Sequence, residues 1–248
     1  MKPLLKLLLA CVPVALIGAC GGGDTEDRLD VADPVVRFVH ASPLAPNLTL
    51  ARANVALPEA TNVPYKYASD YVDIDMGQAD WQVKTADTAA TTIGTVTIDP
   101  ERGTKYTVVA LPGVTSGSSA YLIVDPYNKS LVSDNTRLRL MNAAPLTVDL
   151  YMNAPGTDIS AASVTPFIAG TAYKTSGPAS GSDSAELEGG TYQVTVTASG
   201  TKTVLFRGTV KFDANKDVLL VTVPSATAGI KVLMKIEGTA GATDVPAV

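Results

Sequence analysis

Cysteine is nearly missing from this 248-residue chain: there are two, Cys11 and Cys20, and none in residues 21–248. The body of the protein therefore has no thiol pair for a disulfide, and zinc or iron–sulfur sites built on cysteine are excluded there. Histidine is scarcer still. The single His40 leaves almost nothing for a histidine-based metal site. Long hydrophobic runs are also lacking, since Leu7–Ile17 is interrupted by Pro13 and falls well short of the roughly 18 or more apolar residues of a spanning helix. Basic residues do not cluster: 19 Lys and Arg stand against 24 Asp and Glu, an acidic balance unsuited to nucleic acid. No phosphate-cradling glycine loop, dinucleotide fingerprint or metal-ligand motif occurs, so no cofactor is expected.

What the N-terminus does contain is ordered. Lys2 and Lys6 precede the apolar run, and the small pair Gly18-Ala19 stands before Cys20. A positive start, a short apolar stretch and a small-residue cleavage site describe a signal peptide over residues 1–19. Ile17-Gly18-Ala19-Cys20 also resembles the bacterial lipobox. The resemblance implies that Ile17, Gly18 and Ala19 are read by the signal peptidase and that Cys20 is lipidated as the first mature residue. Each buried methylene contributes about 0.8 kcal/mol, so one acyl chain holds weakly and two or three hold firmly. Gly21-Gly22-Gly23-Asp24 then reads as a flexible tether over residues 20–33. Gly21 after the cysteine is similar to Gram-negative lipoproteins sent onward to the outer membrane.

Beyond residue 33 the composition turns to threonine and valine, punctuated by Gly, Pro, Asn and Asp, with no long helix-period stretch. That pattern predicts an all-β chain. It also repeats. Val36-Arg37-Phe38-Val39-His40-Ala41-Ser42-Pro43 matches Leu138-Arg139-Leu140-Met141-Asn142-Ala143-Ala144-Pro145. In the same order, Tyr65-Lys66 pairs with Tyr173-Lys174, Trp81-Gln82-Val83 with Tyr192-Gln193-Val194, and Gly94-Thr95-Val96 with Gly208-Thr209-Val210. Two tandem immunoglobulin-like antiparallel β-sandwich modules are therefore expected, at 34–134 and 135–237, followed by a disordered tail at 238–248. Within the first, the alternation of Val72-Asp73-Ile74-Asp75-Met76 predicts a strand with Val72, Ile74 and Met76 buried and both acids in solvent.

The Arg-Phe-Val-His-Ala-Ser-Pro opening, the Tyr-Lys segment and the Trp-Gln-Val strand resemble the bacterial DUF4397 family, and both modules fit it, the first more closely. The resemblance implies secreted or anchored β-sandwich modules, often in tandem, and no established activity.

Candidate chemistry is sparse. His40 and Ser42 invite comparison with a nucleophilic pair. Asn142 and Ala144 replace them in the second module, so His40 and Asn142 read instead as side chains bonded to a turn backbone. Arg37 and Arg139 recur at the start of each module, where an arginine among buried neighbours packs its stem and pairs with an acid; Pro43 and Pro145 end the motif. Asp73 and Asp75 form a weak calcium candidate, although strand alternation already accounts for them as a solvated face. Trp81 and Tyr65 have aromatic counterparts and read as core; Tyr67 and Tyr71 do not. The function expected is a non-enzymatic envelope lipoprotein, held to the membrane by its N-terminal lipid, displaying two modules for adhesion, scaffolding, or binding of an envelope protein or glycan. The alternative is a carbohydrate-active or other hydrolase using Asp70, Asp73 or Asp75.

Overall fold

A computed structural model describes residues 32–112, 119–126, 133–225 and 229–248. The signal peptide expected over residues 1–19, with Ile17, Gly18 and Ala19, and the lipidation candidate Cys20 lie outside the described residues.

Strands β1 (Val35–His40), β2 (Leu48–Arg52), β3 (Val55–Ala56), β4 (Val72–Asp73), β5 (Ala79–Thr85), β6 (Thr92–Ile98), β7 (Thr104–Leu111) and β8 (Ser119–Pro126) come first. They form two four-stranded sheets, ordered β4-β1-β7-β8 and β3-β2-β5-β6. The chain continues with β9 (Asn135–Asn142), β10 (Val148–Asn153), β11 (Ile168–Thr171), β12 (Thr175–Gly177), β13 (Ala185–Glu188), β14 (Gly190–Ala198), β15 (Val204–Phe212), β16 (Asp217–Pro224), β17 (Ile230–Ile236) and β18 (Thr243–Asp244). Their sheets run β11-β10-β14-β15 and β12-β9-β16-β17-β18, with β13 also paired to β9. In each set the two sheets bury a shared core. Val36, Phe38 and Val108 from one sheet meet Leu48, Leu50, Trp81 and Val83 from the other. Leu138, Leu140 and Leu220 likewise meet Leu150, Val194, Val196 and Phe206. The fold is all-β, built as sandwiches.

One pairing in each sandwich departs from the antiparallel expectation. β1 runs parallel to β7, with Val36 opposite Tyr106 and His40 opposite Ala110, and β9 runs parallel to β16 in the same way. Parallel pairs sit where both sheet faces are covered. Every residue of β1 after Val35 is buried, as is every residue of β9 after Asn135. The reason is a third core. Val39, Ala41, Val109, Leu111 and Ile123 on the back of the first sandwich pack against Met141, Ala143, Leu219, Val221 and Leu233 on the back of the second. The two sandwiches thus share a dry seam.

Next to its apolar part, the seam is charged. Asp125 accepts from Arg137 at 2.9 Å and Arg139 at 3.4 Å, and Lys105 reaches Glu237 at 2.6 Å and Asp217 at 3.5 Å. Lys235, itself buried, pairs with Asp70 at 2.9 Å. Burial works to discharge Lys105, but Glu237, Tyr71 and Asp217 outweigh it and raise its pKa.

Two expectations are corrected. Residues 238–248 are not a disordered tail: β18 pairs with β17, Val245 is buried against the second core, and Ala247 bridges to Gly208. Gly208 explains the fit, because a Cβ there would meet the Pro246 oxygen at 2.5 Å. Gly94, its partner in the repeat, is there for a similar reason: a Cβ would lie 2.4 Å from the Ala120 nitrogen on β8. The second correction concerns Val72–Met76. Only Val72 and Asp73 pair as a strand, and although Ile74 is buried, Met76 is 53 % exposed. The strand ends at Asp73 and the chain bends at Met76 and Gly77, the latter at φ +109°, so Met76 does not continue the buried face.

Candidate binding cleft

The edges of the first sandwich do not meet everywhere. β3 ends one sheet and β4 ends the other, and neither has a further strand neighbour among the described residues. Between them opens a cleft of about 800 Å³, lined by Asp33, Arg52, Val55, Leu57, Asp73, Ile74, Asp75, Met76 and Trp81 among others. Its size falls in the range of small-ligand sites.

Local sequence shapes each wall. Arg52 leads into a two-residue hairpin, Ala53-Asn54, whose φ angles of +46° and +71° match the twist that such short turns require. Asn54 secures the turn, receiving Lys84 Nζ on its side-chain oxygen at 2.8 Å and donating its backbone N–H to Gln82 Oε1 at 3.1 Å. This places Arg52 toward the opposite wall, where it donates to Asp75 Oδ2 at 3.2 Å, the Asp75 carbonyl at 3.0 Å and the Gly77 carbonyl at 3.2 Å. The arginine therefore braces the short segment that follows β4. Asp33 is held by Arg102 at 3.0 Å, and Asp73 is exposed. Val55, 72 % exposed, and Met76 add apolar surface. Trp81 closes the floor at 1 % exposure, with its indole N–H lacking a partner among the described residues.

The acids named from sequence are thus divided. Asp73 and Asp75 line the cleft together, whereas Asp70 is turned to Lys235 at the seam. Among the described residues no group of three or more His, Cys, Asp and Glu is placed to hold a metal ion. In place of a further acid, Asp75 has the Arg52 cation beside it.

The repeat motif lies elsewhere. His40 is fully buried; its Nε2 meets the Pro46 carbonyl at 3.1 Å and its Nδ1 accepts the Ser42 backbone N–H at 3.3 Å. Burial lowers its pKa, only partly opposed by the backbone hydrogen bonds. Asn142 accepts the Ala144 N–H at 3.0 Å and donates to the Leu146 carbonyl at 2.6 Å. The Tyr-Lys pairs belong to the same device. Lys66 and Lys174 take left-handed backbone angles, φ +71° and +61°, and donate their N–H groups to the carbonyls of His40 and Asn142. Pro43 and Pro145 follow in the loops that these bonds close. Arg37 and Arg139 face the seam. Arg37 donates through Nε to Thr107 Oγ1 at 2.9 Å with its guanidinium 4.6 Å from the Tyr71 ring, while Arg139 reaches Asp125 and the carbonyls of Pro178, Ala179 and Ser182.

Arg52, Val55 and Met76 were not singled out by sequence reading. Ala53-Asn54 is not one of the glycine-bearing pairs that announce a two-residue hairpin, and Met76 reads as a buried residue of the Val72–Met76 strand.

Residues 34–152 match the family described as Domain of unknown function (DUF4397). The match spans the whole first sandwich and continues through β9 into β10. A comparison with curated proteins finds no match.

Proposed function

We propose, for a chain that carries a DUF4397 domain over residues 34–152, a non-catalytic binding role at the bacterial envelope, with the sandwiches displayed on a lipid attached to Cys20 and the cleft of the first sandwich receiving the partner. The observation that carries this reading is the pairing of exposed apolar side chains, Val55 and Met76, with exposed carboxylates in one concavity. Exposed apolar groups rimmed by polar ones mark interaction surfaces.

The hydrolase alternative calls for two carboxylates facing each other across a reacting bond. Asp70 is instead engaged at the seam, and Asp75, its side chain 95 % exposed, is engaged by Arg52. That distribution favours binding over acid–base chemistry. The seam favours it too, since two sandwiches locked back to back present the cleft on a rigid body.

Fractionation of a Gram-negative host expressing the full chain, or its Cys20→Ser variant, tests the anchoring. The full chain is expected in the outer-membrane fraction with acyl mass added, and the variant in the soluble fraction; equal partitioning overturns the anchor. Incubation of the purified full chain with peptidoglycan fragments, oligosaccharides and envelope peptides, followed by mass spectrometry, tests the binding role. Retention of an unchanged partner is expected, and turnover of any of them supports the hydrolase.

A further inference from the structure

The geometry points to an extended, basic peptide segment as the occupant of the cleft, bound between the free edges of β3 and β4. This deepens the binding reading above and rests on it.

Three independent features define the occupant. The first is charge: with Asp75 held by Arg52 and Asp33 by Arg102, the exposed carboxylate of Asp73 is left in excess in the lining, so the cleft is net acidic and complements a cationic partner. The same sign argues against a second copy of this chain, whose formal net charge is −5. The second is form. β3 and β4 are both terminal strands, and a terminal strand offers a row of backbone N–H and C=O groups to an extended chain. The third is the floor. Trp81 is 1 % exposed, so its ring offers no face for stacking on a sugar, which argues against a glycan as the occupant. Val55 and Met76 supply apolar contacts for the side chains that alternate with the basic ones.

Trp81 is the only tryptophan in the chain and its residue both lines the cleft and belongs to the core beneath it, so its fluorescence reports on that part of the first sandwich. The full chain, purified in detergent, is titrated with a capped nonapeptide alternating Lys and Val, and in parallel with its Glu–Val counterpart and a neutral oligosaccharide. The expected result is a saturable change with the Lys–Val peptide only, weakened as salt rises from about 50 to 300 mM. Asp73→Asn is expected to weaken binding about threefold, in keeping with one exposed charge contact. Val55→Lys, at an exposed position on the edge, keeps the fold and places a like charge in the path, so binding is expected to fall at least about tenfold.

Equal responses to the Glu–Val peptide, or a Lys–Val response untouched by both variants, overturn the basic-peptide assignment. So does saturable binding of the oligosaccharide alone, or concentration-dependent dimerisation abolished by Val55→Lys. If the Lys–Val peptide fails while Val55→Lys still abolishes retention of another envelope partner, the occupant is wrong and the binding role stands. If Val55→Lys leaves every retention unchanged, the cleft has no part in binding and both readings fall.

Discussion

His40 and Asn142 do the same work in the two sandwiches with different chemistry. Each ends an inner strand of its sheet, accepts a backbone N–H from two residues ahead, and donates to a carbonyl of the loop that follows. His40 spans to Pro46, six residues on, and Asn142 to Leu146, four residues on. The longer loop of the first sandwich is matched by the longer side chain.

That substitution within one molecule predicts its own mutant. His40→Asn is expected to fold, keeping the bond to the Ser42 N–H and losing the reach to Pro46, at about 1 kcal/mol; His40→Ala, which loses both, is expected to cost about 2–3 kcal/mol. The two differ from wild type in acid as well. Burial holds the folded His40 below its ordinary pKa of about 6.5. As pH falls through that value the unfolded chain gains a proton that the folded chain refuses, so stability declines until folded His40 itself titrates. Thermal melts between about pH 8 and 5 are expected to show this loss in wild type and its absence in His40→Asn. Parallel curves would refute the assignment.

Asp125 is the carboxylate on which the charged part of the seam turns. Its side chain is 14 % exposed and serves Arg137 and Arg139, which are 3 % and 4 % exposed. Asp125→Ala takes from two buried guanidinium groups the carboxylate they share, leaving Arg137 to Asp217 at 3.6 Å and Arg139 to backbone carbonyls alone, and a loss of about 3–5 kcal/mol is expected in urea unfolding at neutral pH. A change below about 1 kcal/mol would show that the arginines find other partners.

The shared core predicts that the second sandwich is weaker alone. Residues 133–248 expressed by themselves expose Met141, Leu219, Val221 and Leu233, all buried in the full chain. A lower melting temperature and binding of a hydrophobic dye are expected. An isolated fragment as stable as the full chain would make the seam a passive contact.

The C-terminal segment is expected to be structural. Gly208→Ala forces a Cβ against the Pro246 oxygen, and overpacking of this kind costs about 1–3 kcal/mol. Removal of residues 243–248 also uncovers the core beside Val245. Hydrogen exchange should quicken in β15 and β17 in both variants, and unchanged protection there would count against the role.

Asp149 anchors strand β11 and the turn between β14 and β15, accepting Gly170 N–H at 2.7 Å, Gly200 N–H at 2.8 Å and the Ser199 hydroxyl at 2.8 Å. Burial pushes its pKa up, but these bonds and Lys202 prevail and lower it. The stability this contributes is complete above the unfolded carboxylate value of about 3.9 and is lost as pH falls through the folded one. Asp149→Ala is expected to be less stable at pH 7 and to show a shallower acid limb; an unaltered limb would sink the argument.

Much of the architecture was legible in the residues themselves. Period-two patterns and turn residues placed Trp81–Lys84, Tyr106–Leu111, Tyr192–Val196 and Val218–Val223 within observed strands, and the Arg37/Arg139 and His40/Asn142 correspondences anticipated the matching strands β1 and β9. Such features are local, because a strand with one wet face writes its period into the chain. What the tertiary structure decided was where non-adjacent surfaces meet. β1 and β9 lost their alternation because a second sandwich covers their back faces, and Arg139 acquired its carboxylate partner, Asp125, only across that seam. The acids of Asp70–Asp75 read as one cluster, but the fold turned Asp70 to Lys235 and left Asp73 and Asp75 beside Arg52. The small, apolar tail looked unable to fold because its own residues bury little, yet Gly208 leaves a groove that receives it. Pairing, burial and charge compensation between distant segments depend on packing, and packing has no period that a single stretch of chain can display.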